Sequence, residues 1–161
     1  MNDRVFLDTN VLIYGQSTTD AVKREIVRSL PDEYAVVLST QVLSECANVF
    51  TRKQGLSAEE ARQRLLLIAQ GCEVLPLTRE IVFDALRIAA CYRYRFYDSQ
   101  IIAAALAAGA AILFSEDMQH RKIIDGTLVI RSPFRSEAHA PVARYRAKAR
   151  GAKAATGKRR K

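Results

Sequence analysis

The sequence has no tryptophan, two histidines, two methionines and three cysteines among its 161 residues. An odd cysteine count, at Cys46, Cys72 and Cys91, with no Cys-x-x-Cys pair and no histidine cluster, excludes a disulfide framework and a structural zinc site. The three are expected as small buried apolar side chains in a reduced, cytoplasmic compartment. Long apolar runs are also missing. The longest uncharged, mostly apolar stretch is residues 101–114, interrupted by Gly109 and shorter than the roughly 20 residues that cross a bilayer. It reads as a buried helix followed by a strand. The opening MNDRVFLDTN lacks the apolar core of a signal peptide, and no repeat marks a solenoid.

What is present is one domain's worth of chain. With 49% hydrophobic and 26% charged residues, the composition excludes a wholly disordered or fibrous protein. The 25 Lys and Arg against 17 Asp and Glu give +8, a balance that seeks polyanions. The excess is concentrated. Residues 144–161, RYRAKARGAKAATGKRRK, hold nine cations and no acid, which leaves 16 cations and 17 acids elsewhere, a net of −1. Apolar periodicity fades after Ser132-Pro133. Residues 1–134 are therefore expected to fold as one domain, with 135–161 a basic, disordered tail.

Short β-branched or apolar runs at 4–7, 35–38, 73–75, 111–114 and 127–130 predict buried strands. Helical periods separate them. One covers 20–30 and is expected to stop at Pro31. A second runs from an N-cap at Thr40 to about Gln54, and a third opens on the capping box Ser57-Ala-Glu-Glu60 and closes near Gln70. Thr78 starts a helix through Tyr92, and Tyr97 or Asp98 starts the alanine-rich helix that closes at Gly109. Strands separated by helices predict an α/β fold with a mainly parallel sheet.

Four acids stand out against this frame. Asp8 follows the first strand directly, where open α/β sheets place ligands, although Asp8 or Asn10 serves equally well as a helix N-cap. Glu45 lies beside its helix's apolar stripe, between Val42 and Val49, so its charge must be paired, hydrated or metal-bound. Asp98 opens the alanine-rich helix, and Asp117 follows the strand ending at Phe114; each also reads as a cap or turn residue. Brought to one sheet edge, four carboxylates would repel one another unless a cation were present. Mg²⁺ or Mn²⁺ suits such oxygens, and the chemistry it serves is phosphodiester hydrolysis.

Phe6-Leu7-Asp8-Thr9-Asn10-Val11-Leu12, Leu43-Ser44-Glu45, Tyr97-Asp98-Ser99-Gln100-Ile101-Ile102-Ala103-Ala104 and Leu113-Phe114-Ser115-Glu116-Asp117, in that order, resemble the PIN-domain signature. The resemblance is closest to VapC-type toxins, ribonucleases of toxin–antitoxin pairs, and covers about residues 4 to 134. It implies a three-layer α/β/α fold, a homodimer, a small antitoxin partner, and Mg²⁺- or Mn²⁺-dependent cleavage of single-stranded RNA. It implies metal-binding roles for Asp8, Glu45, Asp98 and Asp117, with Asn10 and Ser115 supporting the first and last acids. The basic extension departs from the compact toxin pattern.

Arg93 and Arg95, interleaved with aromatics just before Asp98, are candidate RNA contacts, although a helix end and packed loop also explain that segment. His120 and His139 read as surface residues. Gly151 to Arg159 lacks the spacing, hydroxyl and preceding strand of a phosphate-binding loop. The leading expectation is a metal-dependent endoribonuclease. The alternatives are a non-catalytic nucleic-acid- or partner-binding module and a DNA-directed nuclease.

Overall fold

Strands and helices alternate through residues 3–135, the part of the chain that the computed structural model describes. In chain order they are β1 (Arg4–Leu7), α1 (Thr9–Tyr14), α2 (Ala21–Glu33), β2 (Ala35–Ser39), α3 (Thr40–Arg52) and α4 (Ala58–Gln70). There follow β3 (Glu73–Leu75), α5 (Arg79–Tyr92), α6 (Phe96–Ala107), β4 (Ile112–Phe114), β5 (Ile123–Ile124) and β6 (Leu128–Arg131). The expectations for the basic tail and for His139 lie outside the described residues.

The sheet order is β3-β2-β1-β4-β6-β5. All pairings are parallel except that of the short β5 with β6. Buried on both faces, the parallel strands are continuous apolar runs, as Val5-Phe6-Leu7 and Ile112-Leu113-Phe114 show. The chain winds outward from β1 through β2 to β3, then returns to place β4 on the other side of β1. That reversal puts the switch point of the sheet at the carboxyl ends of β1 and β4, the usual place for a ligand in such sheets. Helix α6 is apolar all round, and Ser99 through Ala105 are all buried. Its alanines permit close packing against α5 and the sheet, and they hold its first turn at the same edge.

Several boundaries differ from expectation. Pro31 does not stop α2, which continues to Glu33. It falls in the final turn, where one lost donor is tolerated and the Tyr34 amide closes the end onto the Leu30 carbonyl at 2.9 Å. Ser39, not Thr40, caps α3, and α6 begins two residues before Asp98, which lies in its first turn. β5 was not expected. Of the cysteines only Cys46 is fully buried; Cys72 is half-buried and Cys91 exposed. His120 is half-buried, and its Nδ1 accepts the Ser132 amide at 3.0 Å.

Candidate metal centre

The apolar strands deliver polar side chains where they end. Asp8 is the N-cap of α1 and is also only 9% exposed, so the cap and site readings describe one residue in both roles. One carboxylate oxygen accepts the Thr9 amide at 2.7 Å and the other the Ser115 hydroxyl at 2.7 Å. Ser115 follows β4 and is fully buried; its oxygen also accepts the Met118 amide at 3.3 Å. Two residues further, exposed Asp117 accepts a hydrogen bond from the Asn10 amide, which ties the loop after β4 to α1. Asn10 and Ser115 thus contact the acids they were expected to support.

Glu45 reaches the same edge from α3. One oxygen accepts the Thr9 hydroxyl and the other the Gln41 amide at 2.8 Å. Gln41 also donates to the Tyr97 carbonyl at 3.2 Å, joining α3 to the first turn of α6, which carries Asp98. Sequence reasoning missed Thr9 and Gln41. The i, i+4 spacing of Gln41 and Glu45 was the available signal for the second.

Burial raises the Asp8 carboxyl from 3.8 to about 6. Its two hydrogen bonds oppose the shift, and the charges of Glu45 and Asp98 add to it. Asp98 is also pushed up by burial, partly offset by the Arg95 guanidinium, with Asp117 and Glu45 raising it further. Charge coupling therefore links all four acids. Arg95, the N-cap position of α6, acts on this cluster, whereas Arg93 is exposed at the left-handed C-cap of α5 and makes no ion pair among the described residues.

The donor set is all oxygen, crowded and short of cations, which fits a hard divalent ion. As they stand, no three His, Cys, Asp or Glu side chains among the described residues converge tightly enough to chelate one. The carboxylates are turned instead onto Thr9, Asn10, Gln41 and Ser115. These bonds orient Asp8, Glu45 and Asp117.

Similar architectures occur among toxin–antitoxin proteins. A VapBC2 complex from Rickettsia felis, bound to a DNA fragment from its promoter, matches with a TM-score of 0.61 at 16% identity, covering 80% of this chain and 98% of that one. The sarcin-ricin-loop-cleaving toxin VapC20 of Mycobacterium tuberculosis matches with a TM-score of 0.58 at 21% identity over 70% of this chain and 89% of that one. A toxin–antitoxin complex from Klebsiella pneumoniae gives 0.61 at 17% identity, covering 81% and 98%. No curated protein matches. At these identities the structural likeness speaks for the fold, and it agrees with a family match on the sequence itself. Since the PIN domain model aligns with residues 5–126, from the strand that presents Asp8 to the turn beyond Asp117, the chain belongs to the PIN domain family.

Proposed function

We propose that this protein is a divalent-metal-dependent endoribonuclease and the toxin of a toxin–antitoxin pair. The observation that carries the reading is Asp8: a desolvated carboxyl raised to about 6, at the sheet's switch point, coupled in charge to Glu45 and Asp98. A fold tolerates such a group where a cation is meant to bind. PIN-domain proteins are typically nucleases that use divalent ions, and the oxygen-only donor set suits Mg²⁺ or Mn²⁺.

Asp8, Glu45, Asp98 and Asp117 would hold the ion. When bound, it would supply an activated water and stabilise charge on the phosphate oxygens. Ser115 and the Thr9 amide fix Asp8, Asn10 fixes Asp117, and Thr9 with Gln41 fixes Glu45. Arg95 offsets the charge beside Asp98 and would meet a phosphate there. Arg93, further round the same loop, is a weaker candidate for that contact.

An antitoxin would need apolar surface as well as charge. Between α3 and α4 lies a cleft of about 390 Å³ lined by Leu43, Ala47, Leu65 and Leu66, of which Leu66 is exposed. Phe83 and Leu86, exposed on α5, would suit a second copy in a homodimer. Among the described residues no helix is long and apolar enough to cross a membrane.

The test is cleavage of unstructured and structured RNA with Mg²⁺, Mn²⁺ or chelator. Cleavage should need the ion and disappear in Asp8→Asn. RNA binding without turnover by the metal-loaded protein would favour the non-catalytic module, and preference for DNA the other nuclease.

A further inference from the structure

The run Tyr92-Arg93-Tyr94-Arg95-Phe96-Tyr97 leads directly into Asp98, and the fold sorts its side chains. Tyr92, Tyr94 and Phe96 are half-buried and pack against the core. The Tyr92 hydroxyl also donates to the Asp125 carboxylate and accepts the Asp125 amide, both at 2.9 Å. A packed loop therefore accounts for three of the four aromatics. It does not account for Tyr97, which is 68% exposed and stands edge-on to Phe96, with ring centroids 5.6 Å apart and planes at 65°. A single exposed ring means little by itself. Its position gives it meaning.

The backbone of Tyr97 belongs to the site. Its carbonyl accepts the Gln41 side-chain amide at 3.2 Å, and the same amide nitrogen donates to Glu45 at 2.8 Å. Asp98 follows, with its Cα about 3.8 Å away. Successive helical side chains diverge by about 100°, so the Tyr97 ring flanks the half-buried Asp98 in the first turn of α6. Arg95, two residues earlier, is exposed, and its guanidinium acts on Asp98. Within four residues the chain thus offers a cation, an open aromatic face and an acid of the site.

An aromatic face beside a cation is the usual means of holding unpaired bases: any base can stack on the ring while the cation meets a phosphate. A duplex keeps its bases stacked on one another and offers none to the ring. We propose that Tyr97 is the stacking platform for an unpaired base next to the scissile phosphate, and that it makes the site select single-stranded RNA. A tyrosine ring has only two side-chain torsions to fix, so it is ordered at little entropic cost. Because the Tyr97 carbonyl is tied through Gln41 to Glu45, a base stacked there is held in register with the acids. The neighbouring Arg93 and Arg95 favour a polyanion over a second copy of the chain, whose own arginines a two-fold contact centred on this ring would bring beside them. The inference rests on the ribonuclease reading of the site and names the residue that would give it strand selectivity.

The test compares the full chain with its Tyr97→Ala and Tyr97→Phe variants on two labelled strands, a twelve-nucleotide oligoadenylate and a ribose-phosphate strand of the same length without bases. Binding is followed by fluorescence anisotropy with Ca²⁺ in place of Mg²⁺. Tyr97→Ala should bind oligoadenylate roughly 5- to 150-fold more weakly, the range for one lost base–aromatic stack. It should bind the abasic strand like the parent. Its slope of log affinity against log salt should match the parent's, because the ring meets no phosphate. Tyr97→Phe keeps the ring face and should retain the parent's affinity. In cleavage with Mn²⁺ the alanine variant should lose kcat/KM by a similar factor, through a raised KM. Equal affinity of Tyr97→Ala and the parent for oligoadenylate would overturn the proposal, as would an equal loss on both strands or a phenylalanine variant as weak as the alanine one. A changed oligomeric state of Tyr97→Ala in sedimentation would overturn it too, by assigning the ring to a contact between copies. Absence of cleavage by the parent, with the base-dependent loss intact, would uphold the stacking role and overturn the nuclease reading alone.

Discussion

Replacing Asp8 by asparagine should stabilise the metal-free protein at neutral pH and destabilise it in acid. In the folded chain the carboxyl holds a proton up to about pH 6, while unfolded it releases that proton near 3.8. Between those values the folded state binds more protons, so its stability falls as pH rises through the window. A shift of this size corresponds to about 3 kcal/mol at pH 7. Asparagine resembles the protonated acid: its carbonyl can accept the Thr9 amide, but its own amide must face Ser115, whose hydrogen has to turn away. That exchange costs about 1 kcal/mol. The balance is a gain of about 2 kcal/mol at pH 7, or roughly 4–8 °C in Tm for a domain of this size. Near pH 4 the electrostatic gain shrinks to about 0.5 kcal/mol, so the variant is less stable by about 0.5 kcal/mol. Thermal melts of both proteins in chelator at pH 7 and pH 4 measure the difference. Mn²⁺ at a hundredfold excess over its Kd should then raise only the parent, by about 2.7 kcal/mol, and invert the order at pH 7. A variant that is less stable at both pH values, or a difference that does not change with pH, refutes the account of Asp8 as a charge held out of water.

Two further perturbations test the surroundings of the site and the end of the sheet. Ser115→Ala removes a hydrogen bond that keeps the Asp8 carboxyl from rising further, so more of it is protonated at pH 6; Mn²⁺ affinity by calorimetry should drop about 10-fold there and much less at pH 8. Equal losses at both pH values would give Ser115 no part in tuning Asp8. Gly126→Ala should cost about 1 kcal/mol in urea unfolding, because the residue sits at φ 72° in the β5–β6 turn with open space around it. An unchanged midpoint would mean that the turn relaxes freely.

The sequence was most legible where the signal is local. The capping box of Ser57 and Glu60 and the Thr78 cap start α4 and α5 at the expected residues, since those bonds form within one turn. Asp8 and Asp117 were readable because a carboxylate after a buried parallel strand is rare for a reason. What stayed hidden depends on partners distant in the chain. Nothing local says that Thr9 meets Glu45, or that His120 is held by Ser132 rather than facing water. β5 has only two residues and no period to detect, yet the Asp125-Gly126 pair beside it is a strong hairpin signal; both residues adopt positive φ in the turn. Pro31 misled because the rule for helix interiors weakens in a last turn, and only the chain's later course reveals which turn is last.

The alanine stretch of α6 has a consequence for how activity could drift or be adjusted. Ala103, Ala104 and Ala105 are at most 1% exposed, so this helix has no slack on any side. At 1.5 Å of rise per residue, Ala104 lies about 9 Å along the axis from Asp98. A methyl group added there cannot be absorbed locally in a close-packed interior, and the helix must slide or tilt. Its first turn would then carry Asp98 with it and draw on the Gln41 bridge to Glu45. Side-chain volume deep in the core is in this way a fine adjustment on the spacing of the acids, operated by residues that never touch ion or substrate.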